Sequence, residues 1–334
     1  MIHHFQKSII RVIQSKGKNI SNLWRESDTL GEFFRLDLLA VLTAGVLWGT
    51  LSPAGKQLSL LGADMLTVAV LRAAFMAGGV ALFLLVRMPH RFRVGGLQLF
   101  QVAILAGPCM VGIYAGFFFA LQHLTVPVTI VIFFTHPLLT TIGSLAITKD
   151  RPNLRQVGGA LLTLAGVAVG VLSSGGSFSG GIDPVGIAWC LFAALGMSLY
   201  SLFGRLSAQT GFISQTTLFF YLQFFGLCWL ILLKTFAAGW GDLPSITTAQ
   251  LLWIMYVGLG GGMLGYSIYF YGLRTLPAST ASIVSSIEIV TAFTLSALLL
   301  RQPPTLREIA GAVLIVLAIV LVSRGDNESF REKS

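Results

Sequence analysis

Residues 114 to 174 recur at 266 to 326 without a gap, at a constant offset of 152, and both copies lie in strongly apolar sequence. Tyr114 matches Tyr266, Phe118 matches Phe270, Leu121 matches Leu273, and Leu124 matches Leu276. Pro152, Asn153, Leu154 and Arg155 return as Pro304, Thr305, Leu306 and Arg307, and Gly159 and Ala160 return as Gly311 and Ala312. The same register sets His136 against Glu288, the two ionisable residues deepest in hydrophobic sequence. Duplicated hydrophobic halves with a matched central pair are a common plan of secondary transporters.

Only 10% of the 334 residues are charged, 55% are apolar and the mean hydropathy is +0.82. A soluble domain draws about a quarter of its residues from the charged types, so this chain is an integral membrane protein whose first partner is the lipid bilayer. The formal charge of +9 is spread over tails and short loops, which excludes a nucleic-acid partner and fits the positive-inside bias of membrane proteins. Cys109, Cys190 and Cys228 fall in apolar runs without metal spacing and are read as space-filling.

Ten hydrophobic stretches are long enough to span: 37 to 57, 64 to 87, 96 to 121, 125 to 148, 155 to 174, 184 to 205, 213 to 236, 250 to 273, 277 to 300 and 307 to 323. They are too long for membrane strands and lack strict alternation, so the expected fold class is all-α with ten transmembrane helices. With the amino terminus in the cytoplasm, inner loops hold Arg87, Arg91, Arg93, Lys149, Arg151, Arg155, Arg205 and Arg274. Outer loops hold only Lys56, Lys234, Arg301 and Arg307, so both termini are expected to be cytoplasmic.

The organisation read from this is a basic tail at 1–36, a first half at 37–174, a Ser/Gly-rich linker at 175–182, a second half at 183–323 and a tail at 324–334. Five spans per half is an odd number, so the halves enter the membrane from opposite sides and the repeat is inverted. Two such halves can exchange conformations around one central site. The match loosens in the first two spans of each half, where the offset falls to about 148 or 149. In the first tail, Ile2, Phe5, Ile9 and Ile13 could line one face of a helix on the inner leaflet, and a disordered tail fits equally well. Its apolar run is too short for a secretory signal, so it is read as part of the mature chain.

Glu288 lies in the middle of the ninth span, about 18 Å of helix from either end at a rise of about 1.5 Å per residue. A carboxylate there costs about 2.5 to 3.5 kcal/mol by insertion scales unless it is neutral, paired or wet. Ala281, Ser285, Thr291 and Ala292 share its face. Glu288 is therefore read as a substrate or proton-handling group that changes protonation as the site switches sides, with a neutral helix-packing role as the alternative. His136, followed by Pro137, is its counterpart in the fourth span, and a single bond to a neighbouring helix would account for it as well.

Arg72, about a third of the way into the second span, could pair with Glu288, hold an anionic group or snorkel outward. Trp48, Tyr114, Tyr266 and Tyr269 lie well inside spans and need polar partners, which a wet cavity supplies. Glycine pairs such as Gly45 and Gly49, or Gly261 and Gly265, allow close helix approach. The substrate-binding set is thus Trp48, Arg72, Tyr114, His136, Tyr266, Tyr269 and Glu288, with Glu288 as the proton-coupling candidate. No phosphate-cradling loop, zinc motif or nucleophile motif is present, so neither a cofactor nor a metal is expected and the chain is not read as an enzyme. An intramembrane enzyme using His136 and Glu288 is the alternative from another class.

Leu47, Trp48 and Gly49 in the first span, Leu71 and Arg72 in the second, and the ends of both halves carry a resemblance. Those ends run Asp150, Arg151, Pro152 through Gln156 and Gly159, then Gln302, Pro303, Pro304 through Glu308 and Gly311. The chain resembles the drug/metabolite transporter superfamily, specifically its ten-helix exporters built from two EamA domains, over about residues 37 to 323. The resemblance implies gradient-driven export of small metabolites such as amino acids, nucleosides or drugs from a bacterial inner membrane. A facilitative exchanger or uniporter is the nearer alternative, and homodimerisation is left open. Asp150 keeps the acid of the family's Gly-Glu-Arg pattern, whereas Gln302 does not.

Overall fold

The computed structural model describes residues 36–87, 94–124, 126–171, 183–299 and 305–331. Among the described residues nine helices are long and apolar enough to cross a membrane, and a tenth is shorter. In chain order they are α1 (Leu36–Leu60), α2 (Met65–Arg87), α3 (Gly96–Gly116, continuing as Phe117–His123), and α4 (Val126–Phe133 and His136–Ala146). The shorter helix α5 is Leu154–Val171, followed by α6 (Pro184–Thr210) and α7 (Gln215–Ala237). The series closes with α8 (Thr248–Gly272), α9 (Ala278–Val284 and Ile287–Leu299) and α10 (Leu306–Arg331). The fold is all-α and follows the expected spans closely, except that α10 runs on past residue 323 to Arg331. The first tail up to residue 35 and the linker lie outside the described residues.

The helices pack across the two halves. α2 lies on α7, α4 on α9 and α5 on α10, while α3 crosses α6 as α8 crosses α1. Side-chain bonds sort the connections into two faces. On one, the proximal face, Thr275 donates to Asp37 at the start of α1 (2.6 Å), and Gln98 in the first turn of α3 donates to the Phe212 carbonyl between α6 and α7 (2.6 Å). Arg205 near the end of α6 reaches Asp150 between α4 and α5 (3.4 Å) and the Arg274 carbonyl between α8 and α9 (2.9 Å). On the distal face His123 at the end of α3 meets Asp183, the N-cap of α6, at 2.7 Å. The beginning of α1 and the end of α6 thus share one face, and the two halves are inverted.

The repeated Pro-containing tetrapeptide is a helix start. Asn153 and Gln156 exchange side-chain and backbone bonds (2.8 and 3.1 Å), and Thr305 and Glu308 do the same at the matched positions before α10 (3.3 and 2.6 Å). Each is a capping box satisfying amides that a helix start leaves without partners. Gln156 adds a 3.0 Å bond to Thr280 on α9, tying the proximal end of α5 to the other half.

Candidate functional site

α1 is held between α8 and α9 by glycines. A Cβ on Gly49 would stand 2.5 Å from Thr291 Cβ and 2.7 Å from the Glu288 carbonyl oxygen, and one on Gly265 would stand 2.7 Å from the Trp48 indole nitrogen. Neither helix could approach α1 so closely with a larger residue there. This close packing sets the Trp48 ring against two tyrosines of α8, with centroids 4.6 Å from Tyr266 and 5.0 Å from Tyr269.

Two irregular stretches aim the remaining groups. α3 and α8 widen to i→i+5 hydrogen bonding over Gly107–Gly116 and Tyr256–Leu264, where Pro108 lacks an amide and glycines are dense. Tyr114 lies in the first of these and Tyr266 just past the second. α4 and α9 break at matched places, immediately before His136 and Ile287. In α9 the Ser285 and Ser286 hydroxyls donate to the Ser282 carbonyl (3.0 and 3.3 Å), while the amides of Ser286, Glu288 and Ile289 turn to i−3 carbonyls. The tightened turn places Glu288 in the first turn of the second segment.

Arg72 of α2 joins these parts. Its guanidinium carbon sits 4.8 Å from the Tyr114 ring centre and 6.0 Å from that of Tyr266, within cation–π range. Glu288 and Tyr266 both lie in the electrostatic field of Arg72. No ion pair within 4 Å joins Arg72 to Glu288, although each lies in the other's field. Arg72 and Glu288 keep part of their surface accessible, while the aromatic rings around them are buried.

Of the seven residues expected at the site, Trp48, Arg72, Tyr114, Tyr266, Tyr269 and Glu288 come together. His136 does not share these contacts. It is buried in the α4–α9 seam, with Nδ1 3.0 Å from Ser282 Oγ and its ring against Phe133 and Phe134. The break at Pro137 turns it along its own seam, so sequence register and spatial meeting part company here.

Tyr200, Ser201 and Gln223 join the cluster without having been expected. Tyr200 packs edge-on to Tyr266 at 5.3 Å, Ser201 bonds the Tyr269 hydroxyl at 2.7 Å, and Gln223 accepts from the Tyr114 hydroxyl at 3.1 Å. Carrying the offset of 152 back into α1 would have set Tyr200 against Trp48, and both rings indeed lie on Tyr266. Gln223 gives no comparable signal, because one amide in an apolar helix is unremarkable without its neighbours.

A second polar group closes the distal face. The Lys234 ammonium donates to Asp64 (3.1 Å) and Asp242 (3.0 Å), and the Thr67 hydroxyl bridges the two carboxylates. Sequence placed Lys234 in an outer loop. It is instead buried at the end of α7, where it locks α2 and the α7–α8 connection together.

The sequence matches the EamA-like transporter family over residues 35–172 and again over 184–324. The chain belongs to that family. A relative from Clostridium kluyveri, described only as an uncharacterized transporter, is 24% identical over 291 residues, 84% of this chain and 91% of the relative. The uncharacterized transporter YetK of Bacillus subtilis is 25% identical over 51% of each chain. The uncharacterized inner membrane transporter YicL of Salmonella typhimurium is 27% identical over 52% of this chain and 56% of its own. A solved structure, titled only as the crystal structure of a protein, superposes with a TM-score of 0.71 at 20% identity, covering 85% of this chain and 95% of that one. That likeness concerns the fold. The EamA chain described here is a multi-pass membrane transporter.

Proposed function

We propose that this EamA protein is a secondary active exporter that moves a small organic solute by alternating access, around the cluster of Trp48, Arg72, Tyr114, Tyr266, Tyr269 and Glu288. One observation carries the reading: Arg72 and Glu288 stand in one field between the inverted halves without pairing within 4 Å. Two ionisable groups at membrane depth with no direct ion pair between them are costly in a merely structural role, and a transport site gives them partners in turn.

In this reading the proximal face, which carries Arg205 and Arg274, is cytoplasmic, and the membrane is the inner membrane of a bacterium. Glu288 takes up and releases the coupling proton as the halves exchange. His136 acts indirectly, through the seam along which α4 and α9 slide.

Reconstitution in proteoliposomes with an imposed pH gradient tests the role of Glu288. Glu288→Gln is expected to abolish gradient-driven accumulation while solute exchange without a gradient persists. Proton-driven transport at the unaltered rate would remove Glu288 from the coupling step.

A further inference from the structure

Five buried side-chain polar atoms lack a hydrogen-bond partner among the described residues, and four of them surround this one cluster: Trp48 Nε1, Arg72 Nε, Tyr200 hydroxyl and Gln223 Nε2. Buried polar atoms are almost always satisfied, so four together mark the place a ligand completes. Their chemistry is one-sided. The indole and guanidinium nitrogens can only donate, while the Tyr200 hydroxyl and the Gln223 amide can each turn a donor toward the same space. Trp48, Tyr200 and Arg72 all flank the Tyr266 ring, at 4.6, 5.3 and 6.0 Å, and Gln223 is fixed by Tyr114 beside the same guanidinium. Tyr200 and Gln223 are fully buried and Trp48 is 3% exposed, so water competes poorly for these donors.

We infer that the transported solute carries a carboxylate, received by Arg72, Trp48, Tyr200 and Gln223, on an apolar body that lies among the tyrosine rings. This inference rests on the central cluster being the transport site. A planar anion beside a guanidinium satisfies donors in pairs, and the walls of Trp48, Tyr114, Tyr200, Tyr266 and Tyr269 suit an aromatic or other apolar remainder. A cationic solute would leave every one of these donors unmet and would set its charge beside Arg72, with only Glu288 of the cluster to receive it.

The test uses the purified full-length protein and three probes of one shape: 3-phenylpropionate, phenylalanine and phenethylamine. Calorimetric titration is expected to show binding of the two carboxylates and none of the amine. Tyr200→Phe removes only the hydroxyl, Trp48→Phe removes the indole N–H together with part of the ring, and each is expected to weaken acid binding about tenfold, the worth of one charge-assisted bond. Arg72→Lys keeps the charge without the Nε donor and is expected to weaken it as well. Melting curves establish that the variants fold.

Phenethylamine binding as tightly as the acids and weakening in the Trp48 and Tyr200 variants would overturn the carboxylate and leave the site standing. Binding and proteoliposome transport of every probe unaltered by all three variants would overturn the site and the carboxylate together. Failure of both acids to bind would also overturn the carboxylate.

Discussion

Lys234 puts an ammonium group at 1% exposure between Asp64 and Asp242, whose side chains are 42% and 32% exposed. Removing the cation strands two carboxylates joined by Thr67. Breaking a fully buried pair costs about 3 to 5 kcal/mol, but water reaches both aspartates here, so Lys234→Met is expected to cost roughly 1 to 3 kcal/mol. Thermal melting in detergent reads this, and an unchanged midpoint would show that the clasp adds nothing.

The clasp also sets a pH dependence. Burial pushes the Asp64 and Asp242 carboxyls upward, but bonds from Thr67 and Lys234 outweigh it and hold both below their ordinary value of 3.8. A carboxyl lowered by folding contributes stability above its unfolded value and loses it as pH falls through the folded one. The melting midpoint is therefore expected to hold from neutral pH down to about 4 and to drop below that. Asp64→Asn with Asp242→Asn should flatten the drop, and a drop of the same size in the double variant would assign it elsewhere. None of this was legible in the sequence, where Lys234 reads as one more loop cation and Asp64 and Asp242 lie far apart.

Helix α1 shows what the sequence conveys about an element and what it withholds. The spacing of Gly45 and Gly49 announces a close contact, and the contact exists. Its partner is α9 at the level of Glu288, which the spacing cannot name. Gly49→Ala would bring a methyl within 2.7 Å of the Glu288 carbonyl, a backbone atom that cannot swing aside. It is expected to cost about 1 to 3 kcal/mol by overpacking. Gly78→Ala on α2, where a Cβ meets nothing within 4 Å, is the control expected within about 0.5 kcal/mol of the parent. Equal midpoints for the two variants would mean that α1 and α9 do not pack in this way. The α9 break was only half visible: Pro137 marked the break in α4, but in α9 the work is done by Ser285 and Ser286, whose hydroxyls are equally at home in an unbroken membrane helix.

For the whole molecule, the alternating access proposed above requires the inverted halves to move relative to one another across both faces. The distal face is closed by Thr67, Asp64, Lys234 and Asp242, and the proximal face by Arg205, Asp150 and Thr275. A disulfide between Thr67→Cys and Asp242→Cys, with Cys109, Cys190 and Cys228 replaced by alanine, is expected to arrest transport on oxidation and restore it on reduction. Undiminished flux through the cross-linked protein would exclude opening at that face.

The sequence alone determined the membrane class, the ten spans, the repeat and the parity argument that inverts its second half, because hydropathy and loop charge act locally and add along the chain. It also named six side chains that meet at the centre, since a polar group deep in an apolar run must have a reason to be there. Tertiary structure decided which of them meet, bringing Tyr200 and Gln223 in, sending His136 to the α4–α9 seam and drawing Lys234 out of its loop. Helical spacing tells which residues share a face, but a helix that is apolar all round does not tell which neighbour that face meets. Only the packed bundle supplies that direction, and with it the unmet donors at the centre.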